Sequence, residues 1–130
     1  MRALGLFVLA IVATVSVVSA QEMNMSSIPS VQQSVIPDAP LKTSLVCMMN
    51  NKYFGTEQIP VEVDGKTYYG CCEGCKTTLK MDPQARMSLD PLSGKEVDKA
   101  TAFIAPVSKN NPNVFYFESK ENYEKYRQTQ

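Results

Sequence analysis

Val63-Asp64-Gly65-Lys66-Thr67-Tyr68-Tyr69-Gly70-Cys71-Cys72-Glu73-Gly74-Cys75-Lys76-Thr77-Thr78-Leu79-Lys80-Met81 holds three of the chain's four cysteines. They fall where an aromatic, strand-like run gives way to helix-like spacing. Just upstream, Ile59-Pro60-Val61-Glu62-Val63 alternates apolar and polar residues. Asp64-Gly65 is a tight-turn pair, and Lys66-Thr67-Tyr68-Tyr69 resumes a strand. This pattern predicts a β-hairpin. A helix is expected from about Cys72 to Met81, packing through Leu79 and Met81 and stopped by Asp82-Pro83. The thiols then stand at a strand-to-helix junction, where unpaired N–H groups and the backbone dipole favour thiolate, the metal-binding form. If the helix begins near Cys71, then Cys71 and Cys75, four apart, share one face, and Cys72 and Cys75, three apart, nearly do, so two sulfurs can converge on one ion. Gly70 and Gly74 flank the thiols and let the backbone turn tightly.

Working outward, Leu45-Val46-Cys47-Met48-Met49 is a short apolar run before the polar Asn50-Asn51-Lys52. It reads as a short strand or knuckle-like turn whose thiol is either a buried core cysteine or one that faces the downstream cluster. Residues 1–20 combine Arg2, an uncharged apolar run and the small-residue site Val18-Ser19-Ala20. They predict a cleaved secretory signal peptide, with no stable membrane insertion afterwards and a periplasmic or secreted product. Residues 21–40, rich in Ser, Gln, Pro and Met, are expected to be a flexible linker. Within it, Met23 and Met25 place two soft thioethers near each other.

Composition narrows the chemistry. There is no histidine and no tryptophan, which removes the commonest general base and the commonest metal ligand, and with them a Ser-His-Asp hydrolase or a histidine-rich zinc enzyme. Charge is balanced at 13 basic and 13 acidic residues, which argues against nucleic acid as a partner. The mature chain of about 110 residues suffices for one small core.

From Asp90 the pattern begins again. Asp90-Pro91-Leu92-Ser93-Gly94-Lys95 is turn-rich, Thr101-Ala102-Phe103-Ile104 reads as a strand, and Asn110-Asn111-Pro112-Asn113 as a turn. Val114-Phe115-Tyr116-Phe117 reads as a strand, and the stretch from Ser119 to about Gln128 as a helix with Ser119 as its cap. At a constant offset Tyr68-Tyr69 aligns with Phe115-Tyr116, and Cys71, Cys72 and Cys75 align with Glu118, Ser119 and Asn122. Ser93 falls near the place of Cys47. An internal duplication with a thiol-free second copy is the economical reading. The expected fold is α+β, two small β-hairpin-plus-helix units packed together, over residues 41–88 and 89–130.

Tyr68-Tyr69-Gly70-Cys71-Cys72-Glu73-Gly74-Cys75-Lys76, preceded by Cys47-Met48-Met49, resembles the TRASH and YHS group of small heavy-metal-binding domains. Asp90-Pro91-Leu92-Ser93-Gly94 is similar to the Asp-Pro-Val-Cys-Gly opening of that group. The resemblance implies treble-clef-like units and a role in sensing, carrying or handling copper, zinc or toxic soft metals. Carried over residue by residue, Cys47, Cys71 and Cys75 take the ligand positions, Met49 falls where the group has methionine, and Cys72 adds a fourth sulfur or a disulfide partner.

Three function classes meet at these thiols. A soft-metal module would hold one Cu(I) or Zn(II) ion for buffering, delivery or resistance, with a metal transporter or efflux component as partner. Closing such a site would stabilise a small fold by roughly 10 kcal/mol in apparent terms. A disulfide-stapled structural or interaction domain is the alternative in an oxidising compartment, where a bridge from Cys47 to the cluster is worth roughly 3 kcal/mol. It leaves two neighbouring thiols to pair at strained short range. A thiol-disulfide oxidoreductase using Cys72-Glu73-Gly74-Cys75 needs a thioredoxin-like context that hairpin-plus-helix units do not provide. The expectation is therefore a binding protein and not an enzyme.

Overall fold

In the computed structural model, which describes residues 36–130, the hairpin forms as the sequence predicts. Strands β3 (Ile59–Val63) and β4 (Lys66–Gly70) pair antiparallel, with Val63 opposite Lys66 at the closed end. Asp64 and Gly65 have φ of 51° and 74°, the paired left-handed conformations that a two-residue hairpin turn demands and that Asp-Gly supplies at least cost. Helix α1 (Glu73–Met81) follows at once, and Cys72 caps it with extended backbone. At the far end Asp82 is forced into extended geometry by Pro83, which stops the helix.

Before the hairpin come β1 (Val46–Cys47) and β2 (Lys52–Tyr53), an antiparallel pair joined by the Met48-Met49-Asn50-Asn51 turn. After α1 the order recurs. Strands β5 (Met87–Leu89) and β6 (Glu96–Asp98) form a short pair, β7 (Phe103–Ser108) and β8 (Asn111–Phe117) a hairpin, and α2 (Lys120–Gln128) a helix. The strand expected from Thr101 starts two residues later, and the expected Asn110–Asn113 turn tightens, because Asn111 already pairs with Ser108. Both helices are capped in the same way. Cys72 and Ser119 have φ/ψ of −154°/169° and −157°/168°, and each side chain accepts from the backbone N–H three residues on.

The two halves share one sheet and one core. Strand β2 pairs with β8, giving the order β1-β2-β8-β7. The core draws Val46, Met48, Val61, Tyr68 and Leu79 from the first half and Val97, Ile104, Val114 and Tyr116 from the second. Helix α2 seats on its hairpin through aromatics, with Phe117 5.4 Å from Tyr123 and 5.5 Å from Tyr126 between ring centroids. These rings serve packing, as a chain poor in other large apolar residues requires. The α+β class is as read.

Two expectations are corrected. Met81 is 75% exposed and packs nothing, whereas Leu79 is fully buried; two positions apart, they point to opposite sides of a nine-residue helix. Within the expected linker Ile36 is buried while Pro37, Asp38 and Pro40 are exposed, and Leu41, the first residue after the linker, is buried and donates its N–H to the Ile104 carbonyl. A pair of apolar residues with no period gives no signal in the sequence. The signal-peptide expectation, with Met23 and Met25, lies outside the described residues.

Candidate metal centre

The turn between β1 and β2 and the junction between β4 and α1 meet face to face. The N–H of Met48 donates to the Tyr69 carbonyl at 2.8 Å, which ties the turn carrying Cys47 to the strand leading into Cys71. Gly70 makes the approach possible: a Cβ there would lie 3.0 Å from the Cys75 Cβ and 3.0 Å from the Lys76 backbone nitrogen. With glycine at that point α1 seats directly on the strand end and presents Cys75 to the turn. Gly74, by contrast, has room, since a Cβ there would meet only the Cys72 sulfur at 3.8 Å.

The result is a sulfur cluster. The Sγ atoms of Cys47, Cys71 and Cys75 all lie within 4.8 Å of one another, and Cys71 and Cys75 are 3.6 Å apart. An ion about 2.3 Å from each of three thiolates needs them about 4 Å from each other, so the three cysteines fit one soft ion with little movement. Cys47 is fully buried, Cys75 half-buried and Cys71 exposed, which gives the site a closed floor and an open rim.

The other two sequence candidates differ. Cys72 is exposed, and its sulfur is engaged as the α1 cap, accepting the Cys75 N–H at 3.4 Å while lying 3.3 Å from the Cys75 sulfur. Met49 is half-buried and packs against the hydrophobic core. All four cysteines are free thiols.

The thiols do not ionise alike. Burial pushes the Cys47 thiol up, but donors outweigh it: the N–H of Asn50, the thiol of Cys71 and the N–H groups of Cys71 and Met49 leave it below its ordinary value. Burial first, then the sulfurs of Cys72 and Cys71, push Cys75 up to about 12. Cys71 is raised by its contact with Cys47 and by burial. Cys72 is lowered, chiefly by the N–H and thiol of Cys75. Crowded sulfurs cannot all carry charge without a cation, and a metal that binds them must displace their protons.

Asn50, Asp90 and Lys99 were not legible as parts of this arrangement. Asn50 Nδ2 donates to the Cys71 sulfur at 3.3 Å. Asp90, not Ser93, stands in the second half where Cys47 stands in the first. Its Oδ1 accepts from the N–H groups of Leu92 at 2.7 Å and Ser93 at 3.1 Å. Its Oδ2 accepts from the N–H of Glu118 and from Asn122 Nδ2, both at 2.8 Å, the positions matching Cys71 and Cys75. Asn51 and Gly94 close the two turns with φ of 51° and 69°. A carboxylate and hydrogen bonds thus occupy the second half where sulfurs gather in the first. The Asp-Pro start of that turn was the available signal; the offset of the hairpin and helix does not carry through to it.

Comparison of the chain with protein-family models, with curated proteins and with solved structures found no match. The reading of the site therefore rests on its geometry and chemistry.

Proposed function

We propose that this is an exported soft-metal-binding protein that holds one Cu(I) or Zn(II) ion through Cys47, Cys71 and Cys75 and acts in metal buffering, delivery or resistance. The observation that carries it is the meeting of three sulfurs from two separated segments within 4.8 Å. Thiolates without histidine or carboxylate select soft or borderline ions. Export rests on the character of residues 1–20, and the treble-clef and TRASH/YHS assignment on the Cys-Met and Cys-x-x-x-Cys residues of the first half. A three-sulfur set with an exposed rim suits an ion that is received and passed on, and a metal transporter or efflux component is the matching partner. Among the described residues no helix is long and apolar enough to cross a membrane.

Native mass spectrometry of the reduced protein, offered Cu(I) or Zn(II), is expected to retain one ion per chain. Retention of neither overturns the proposal. The second reading, a disulfide-stapled domain, is favoured by the 3.3 Å and 3.6 Å sulfur separations at Cys75; two stable bridges in the protein as isolated would select it.

A further inference from the structure

Behind the floor of the sulfur cluster lies a cation from the other half of the chain. Lys99, in the turn between β6 and β7, is only 5% exposed. Its Nζ donates to the carbonyls of Met48 at 2.8 Å and Ala85 at 3.0 Å and stands 5.5 Å from the centroid of the buried Tyr116 ring. Among the described residues it takes part in no ion pair. A buried ammonium without an anion is costly, and carbonyl dipoles and a ring face offset only part of that cost. The missing anion is close at hand. Met48, whose carbonyl accepts from Lys99, follows Cys47 directly in the chain, at the floor of the cluster. Lys99 therefore stands behind the backbone segment that carries the buried Cys47.

We propose that Lys99 is the buried counter-cation of the thiolate centre, a positioning residue that sets its affinity and its preference among ions by charge. The proposal rests on the metal-binding reading above. Loading exchanges about two to three thiol protons for one ion, so a cluster of largely neutral thiols becomes a centre of net charge −1 with a divalent ion and −2 with a monovalent one. Lys99 brings these to neutral and −1. Its attraction to the loaded centre is thus about twice as large for a monovalent ion as for a divalent one. This also gives the thiol-free half a task in the site: it supplies the charge.

The test compares Cd²⁺ and Ag⁺ affinities, by competition with a chelator at fixed pH, for the reduced full-length protein and its Lys99→Met and Lys99→Arg variants. Urea unfolding of each metal-free protein runs alongside. Lys99→Met is expected to weaken Cd²⁺ about ten-fold and Ag⁺ about a hundred-fold, while Lys99→Arg stays within a few-fold of the parent. Metal-free stability of Lys99→Met should not fall, because an unpaired buried charge has been removed. An undiminished affinity overturns the proposal alone. So does an equal loss for both ions with lower metal-free stability, since that marks Lys99 as a mere tie between Met48 and Ala85. Lys99→Gln, which keeps a donor for one carbonyl, carries the same comparison if Lys99→Met does not fold. No ion on the parent protein overturns the metal-binding reading and this proposal with it.

Discussion

Cys47 lies at the bottom of the cluster with no exposed surface, and Cys72 stands at the rim with its sulfur turned to the helix start. Substitution should therefore separate them. Cys47→Ser, Cys71→Ser or Cys75→Ser each removes a sulfur from the converging trio and is expected to weaken Cd²⁺ binding more than about 100-fold, beyond the range of outer-sphere changes. Cys72→Ser should keep both the cap and most of the affinity, because Ser119 performs the same capping at the start of α2. Chelator competition on the four variants checks this. With Cys75 pushed up to about 12 and Cys71 raised as well, loading should release about two to three protons per ion, and affinity should fall as pH is lowered. Proton release in weakly buffered solution measures it. The pairing of Cys71 with Cys75 was legible, but for another reason than helical spacing: Cys71 precedes the extended cap Cys72, so the end of β4 and not a helix face brings its sulfur to Cys75. That Cys47 joins them depends on a turn 24 residues upstream in the numbering, which spacing alone leaves open. Lys99 gave no signal at all, since a lysine in a turn reads as solvated.

Among the elements, the β3-β4 hairpin and α1 were readable almost to the residue, because Asp64-Gly65 and Asp82-Pro83 act through backbone sterics that need no tertiary context. The short pairs β1-β2 and β5-β6 were not, since two- and three-residue strands take their conformation from what they meet. Gly70 is where two elements meet most tightly. Gly70→Ala should drive α1 off the strand end, costing about 1–3 kcal/mol of stability, the range for overpacking, and weakening metal binding by moving Cys75 away from Cys47. Urea unfolding and chelator competition read the two effects. Asp90 holds the second turn to the start of α2. Burial raises its carboxyl, but the donors of Asn122, Glu118, Leu92 and Ser93 outweigh that and leave it below its ordinary value. The stabilisation it gives is present above the carboxyl's unfolded value and is lost as pH falls through the lower folded one, at pH values below about 4. Asp98, lowered by Lys66, the Ala100 N–H and Tyr68 against the effect of burial, acts in the same window. Asp90→Asn should cost about 3 kcal/mol at neutral pH, because an amide cannot accept from donors on both of its ends. It should also flatten the acid limb, as urea unfolding at pH 3 and pH 6 will show.

Across the whole molecule, the halves are joined by more than packing. Asp98 of the second half bonds Lys66 at 2.6 Å and Tyr68 at 3.0 Å in the first, Lys99 reaches Met48, and Asn51 accepts from Val114 at 2.9 Å. A fragment of residues 36–88 would lose Val97, Ile104, Val114 and Tyr116 from the shared core. It is expected to show no cooperative unfolding by circular dichroism and to bind Cd²⁺ more weakly than the whole chain. The recurring order of elements was visible in the sequence through the aromatic pairs and the constant offset that aligns Cys71, Cys72 and Cys75 with Glu118, Ser119 and Asn122. Their interlocking was not, since the pairing of β2 with β8 joins segments whose residues carry no mutual pattern. The half-sunken arrangement of the sulfurs has a kinetic corollary. If an ion is held as proposed, an incoming donor atom could attach at the solvent side while Cys47 kept its place below, so transfer would proceed by stepwise substitution, at a speed that rises with the concentration of the acceptor.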